Sequence, residues 1–150
     1  MRTYINYCGK SNSGKSTTLG MVIKELEKHG TITYIEKSKP KTGVVDYRIV
    51  FRINEQLVAI STYGDDLKQL FKNHCLFGKF SPKIMVTASH SHENHNHNLY
   101  IDNFVYNEVT ADNKPSTQRG RFNYHKVQSG PSNELNADYI FKLIMESMKI

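Results

Sequence analysis

Gly9 and Gly14 bracket Lys10, Ser11, Asn12 and Ser13 in the stretch GKSNSGKS, and Lys15 and Ser16 follow the second glycine directly. This is the spacing GxxxxGK[ST], in which each position has its own physical reason. The glycines let the backbone curl without Cβ clashes, so that successive N–H groups face an anion while the positive end of the next helix lies beneath it. Lys15 carries the charge such a loop aims at the β- and γ-phosphates of a nucleotide, and the Ser16 hydroxyl is the expected Mg²⁺ ligand. Gly9, Lys10, Ser11, Asn12, Ser13, Gly14, Lys15, Ser16 and Thr17 are therefore the expected nucleotide contacts, and Lys15 is also assigned to the chemistry.

Such a loop requires a strand before it and a helix after it, and the flanking residues provide both. TYINYC is a β-rich run, whereas STTLGMVIKELEKHG repeats Leu19, Val22, Ile23 and Leu26 at the spacing of one helical face and meets a natural stop at Gly30. On these residues the chain resembles the P-loop NTPase superfamily, sharply over its first thirty positions and in outline beyond them. The resemblance implies a single-domain α/β fold over residues 1–150, with a mainly parallel sheet, helices on both faces and an antiparallel edge hairpin. It also implies ATP and Mg²⁺ as ligands. Lys10 adds a partial likeness to the ParA and MinD type, whose second lysine reaches the nucleotide of a dimer partner; Ser11 and Asn12 depart from that pattern, which leaves Lys10 open as an exposed loop lysine.

Further candidates come from strand ends, because ligands of open α/β sheets bind outside the carboxyl ends of their strands. TITYIEK is a short β-run ending at Glu36, which is placed either for catalysis, to polarise a water, orient a substrate hydroxyl or help hold the metal, or as a surface glutamate. DYRIVFRI and QLVAISTYGDD read as a hairpin joined at NEQ, with the first strand at the sheet edge and the second buried beside the loop-bearing strand. That buried strand ends in Ser61 and Thr62, so the first acid able to serve the cation is Asp65, after Gly64. Asp65 serves either Mg²⁺ or the start of the helix DLKQLFKNHC.

The strand KIMVTAS opens into HSHENHNHN, where His90, His92, His95 and His97 cluster without the cysteine or carboxylate framework of a structural metal site. His90, nearest the strand end, is the candidate phosphate or substrate contact. Residues 107–132 are polar, carry glycines and prolines, and read as a long loop or flap. Its Arg119 and Arg121 are placed to close over phosphates, and Phe122, Tyr124 and Lys126 to hold a nucleic-acid strand. DNKPS departs from a guanine-reading NKxD at Ser116, which favours ATP over GTP. The stripe Leu135, Ile140, Leu143, Ile144 and Met148 predicts a final helix capped by Ser132.

A net charge of +6 suits anionic partners, although Lys and Arg are spread along the chain rather than blocked. Cys8 and Cys75 share no metal-ligand spacing and read as free thiols of a reducing compartment. No apolar run of about 18 residues is present to span a membrane, and no signal-peptide layout opens the chain, so a cytoplasmic protein is expected. The combined expectation is a small protein that binds Mg·ATP and hydrolyses its γ-phosphate, with a homo-oligomer or protein partner reading the nucleotide state. A nucleoside, nucleotide or small-molecule kinase and a non-catalytic nucleotide sensor are the alternatives.

Overall fold

The computed structural model describes residues 2–9, 14–38, 45–63, 67–90, 122–130 and 132–148. Its elements run β1 (Arg2–Gly9), α1 (Lys15–Glu27), β2 (Thr31–Lys37), β3 (Tyr47–Ile53), β4 (Gln56–Ser61), α2 (Leu67–Phe80), β5 (Ile84–His90), β6 (Phe122–Gln128) and α3 (Asn133–Ser147). The strands form one sheet in the order β2-β3-β4-β5-β1-β6.

Side chains alternate across each strand, and both faces are covered. Ile5, Tyr7, Ile49, Phe51, Ile60 and Val86 meet Leu19, Val22 and Leu26 of α1 and Ile140 and Ile144 of α3 on one face. Tyr4, Val50, Ala59 and Met85 meet Leu70, Leu76 and Phe77 of α2 on the other. Burial on both sides explains why β1, β3 and β4 lack a clean apolar/polar alternation. Leu26 is fully buried in the first cluster, where truncation to alanine costs about 2–5 kcal/mol.

The expected mainly parallel P-loop sheet with a hairpin at its edge is corrected by this topology. The sheet is mixed: β4–β5, β5–β1 and β1–β6 pair in parallel, whereas β2–β3 and β3–β4 pair antiparallel and occupy one whole end. Only three short helices accompany it among the described residues. β3 is internal rather than an edge strand, and β5 rather than β4 flanks β1. The reason lies in burial. β3 buries all but its first residue and Arg52, so it needs neighbours on both sides. β2 exposes most of its residues and takes the edge, where a register shift between Ile32 and Tyr34 interrupts its ladder with β3.

Several local readings also shift. The two-residue turn between β3 and β4 places Asn54 at φ 49° and Glu55 at φ 66°, the paired left-handed conformations of a type I′ turn. α1 ends at Glu27, before Gly30, whose missing side chain instead makes room for the Arg52 carbonyl of β3. Residues 122–128 of the stretch read as a flap form β6, in parallel register with β1 from Arg2↔Phe122 to Cys8↔Gln128. In α3 the Ser132 side chain accepts from the Leu135 N–H as the cap, but Leu135 itself is 70% exposed and lies outside the apolar stripe.

This topology decides what reaches the edge that carries the β1–α1 junction. β1, β4, β5 and β6 run together, so their carboxyl ends line one edge, and antiparallel β3 contributes its amino end to that same edge. Residues just before Tyr47 therefore arrive beside the end of β4 and the start of α1.

Candidate functional site

β1 ends at Gly9, in register with His90 of β5, and the chain enters α1 through Gly14 at φ 83° and ψ 17°. That left-handed conformation favours glycine, and space reinforces the choice: a Cβ on Gly14 would lie 2.5 Å from Asn133 Oδ1 of α3. Asn133 Oδ1 accepts from Thr18 Oγ1 at 3.2 Å, and Asn136 Nδ2 donates to Tyr7 Oη at 3.1 Å. The start of α3 is thus fastened to the exit of the loop. Gly14 makes no side-chain cap and the first turn of α1 carries no acid of its own.

Lys15 Nζ donates to the Gly9 carbonyl at 2.9 Å, tying together the two ends of the segment 10–13. Ser16 Oγ donates to Asp46 Oδ1 at 3.2 Å. Thr17 is exposed, whereas Thr18 is buried beneath the turn. Gly9, Gly14, Lys15 and Ser16 are therefore brought together at one junction, while Lys10, Ser11, Asn12 and Ser13 lie outside the described residues.

Asp46 is the acid the sequence reading missed. The same Oδ1 accepts from Thr62 Oγ1 at 2.8 Å, and Thr62 Oγ1 in turn accepts the Tyr47 N–H at 2.9 Å. The Asp46 N–H donates to Ser38 Oγ at 2.9 Å, and the Asp46 carbonyl accepts the Ser38 N–H at 3.0 Å. The ends of β2, β3 and β4 are stitched around this one residue. A search for an acid at the carboxyl end of a strand passes over it, because Asp46 precedes a strand that runs the other way.

Glu36 is used differently. Tyr34, two residues earlier, packs with the α2 cluster, so Glu36 shares that face, opposite α1. Its carboxylate pairs with Arg48 and accepts from Tyr34 Oη at 3.1 Å. Arg48 is held further by Asn73 Oδ1 at 2.7 Å and Gln69 Oε1 at 2.6 Å, and its guanidinium stacks 4.0 Å from the Tyr63 ring centre. Asn73 also accepts from Ser61 Oγ at 2.7 Å and donates to the Tyr63 carbonyl at 3.0 Å. Burial, and then the hydrogen bond to Glu36, pushes the Tyr34 phenol above its ordinary value; burial is also the main cause of the rise at Tyr63. This network fastens β2, β3 and β4 to α2.

The remaining sequence candidates are placed only in part. His90 closes β5 beside Gly9, and its backbone alone is described. Asp65, Arg119, Arg121 and the other histidines of the cluster lie outside the described residues. Lys126 is exposed on β6. Among the described residues no group of three His, Cys, Asp or Glu side chains is placed to hold a metal. The oxygens of Ser16, Asp46 and Thr62 do match the preference of Mg²⁺ for a single carboxylate with hydroxyls, waters and phosphates completing its shell.

No described helix is long and apolar enough to cross a membrane. No protein-family model, curated protein or solved structure matches the chain.

Proposed function

We propose that this protein binds Mg·ATP at the β1–α1 junction and cleaves the γ-phosphate, acting in the cytoplasm as an NTPase whose nucleotide state is read by a protein partner or a second copy. The likeness to P-loop proteins that supports this reading belongs to the loop and not to the sheet. One observation carries it: Gly14 turns the chain through a left-handed conformation into an uncapped helix whose first two residues are Lys15 and Ser16. The helix end attracts the phosphates, and Lys15 can exchange its Gly9 carbonyl for a phosphate oxygen. Ser16 would hold the cation. When bound there, Mg²⁺ would supply charge neutralisation to the phosphates.

Titration calorimetry with Mg·ATP, followed by turnover of γ-labelled ATP, tests the proposal. Lys15→Ala is expected to abolish binding, and the wild type to release labelled free phosphate. Unchanged affinity in a folded Lys15→Ala protein would refute phosphate binding here. Label appearing on an added nucleoside, nucleotide or metabolite would replace hydrolysis by transfer. Binding without turnover would leave a sensor.

A further inference from the structure

We propose that Asp46 is the carboxylate that serves the divalent cation of this site. The assignment rests on the Mg·ATP reading above and concerns a residue to which the sequence pattern gives no role. Its basis is the pair of hydroxyls converging on one oxygen, Ser16 Oγ at 3.2 Å and Thr62 Oγ1 at 2.8 Å.

The direction of these bonds matters. Because Thr62 Oγ1 already accepts the Tyr47 N–H, its own proton goes to Asp46. Ser16 likewise points its proton at Asp46, which turns the hydroxyl's lone pairs away from the carboxylate and leaves them for a cation. Asp46 thereby orients the Ser16 ligand and adds a full negative charge next to it.

The carboxylate is also preorganised. Ser38 grips the backbone of Asp46 through its hydroxyl and its N–H, and Thr62 is fixed to Tyr47 through a reciprocal pair, with the Thr62 N–H donating to the Tyr47 carbonyl at 2.9 Å. Among the described residues the donors that converge there are hard oxygens, which suits Mg²⁺ rather than a thiophilic or imidazole-seeking metal. Glu36, the other acid among the described residues at this end of the sheet, is paired with Arg48 on the opposite face.

The test measures ATP affinity by calorimetry in Mg²⁺ and in EDTA, and Mn²⁺ affinity of the ATP complex by electron paramagnetic resonance, for wild type, Asp46→Asn and Asp65→Asn. Asp46→Asn keeps an oxygen for Thr62 and Ser16, so the strand-end bonds survive. It is expected to weaken Mn²⁺ binding to the ATP complex about 10- to 100-fold. Its affinity for ATP in EDTA should equal or exceed that of wild type, because a negative charge beside the phosphates has been removed. Full cation dependence in Asp46→Asn would overturn the assignment while leaving nucleotide binding standing, and a loss confined to Asp65→Asn would move the role to that residue. A wild type that binds no ATP in either medium would overturn the site itself, and this assignment with it.

Discussion

Gly14→Ala probes the junction through two costs that can be separated. At φ 83° an alanine pays about 1–2 kcal/mol for the left-handed backbone. Its Cβ would also stand 2.5 Å from Asn133 Oδ1, too close for any real contact, so Asn133 must rotate away and give up its bond from Thr18 Oγ1. Losing that bond costs about 1 kcal/mol. The sum is about 2–3 kcal/mol, or a fall of roughly 4–12 °C in Tm for a chain of this size. Asn133→Ala removes the same bond and the obstruction, at about 1 kcal/mol alone. The double variant should therefore lose about 2–3 kcal/mol rather than 3–4, a coupling of about 1 kcal/mol. Urea unfolding of the four proteins in one buffer measures this cycle. Strict additivity would refute the contact with Asn133, and a loss below about 0.5 kcal/mol in Gly14→Ala would refute the left-handed turn.

The Glu36–Arg48 pair should respond asymmetrically. The Arg48 side chain is 3% exposed and that of Glu36 43%, so Glu36→Ala strands a buried charge and should cost about 3 kcal/mol, whereas Arg48→Met returns a carboxylate to water and should cost about 1–2 kcal/mol. Denaturant midpoints decide the order, and the reverse order would refute the network's assigned balance; a Glu36→Ala protein of wild-type stability but low turnover would return Glu36 to the chemistry. The raised Tyr34 phenol has a pH signature. Its proton is held more tightly in the folded state than in the unfolded one, so its stabilisation is complete below about pH 10 and is lost as pH climbs through the folded value. Tyr34→Phe should therefore show a smaller fall in Tm between about pH 9 and 11 than wild type, and parallel Tm curves would refute the linkage.

GKSNSGKS, with a β-run before it and an amphipathic stripe after it, determines by itself that a strand turns through Gly14 into a helix led by Lys15 and Ser16. That much is local: backbone sterics at glycine and the periodicity of Leu19, Val22, Ile23 and Leu26 act within about twenty residues of chain. The same locality fixes the cap at Ser132 and the start of α3. Strand order is not local. Whether TITYIEK or DYRIVFRI takes the edge depends on which of them loses more by facing water, and no window of the sequence compares two distant strands. β6 was hidden for a related reason: among its described side chains only Val127 is buried, and its ladder depends on the edge of β1 rather than on its own pattern. Asp46 shows the consequence most clearly. Thirty residues separate it from Ser16, and only the reversal of β3 within the sheet carries its carboxylate to the helix end where a hydroxyl meets it.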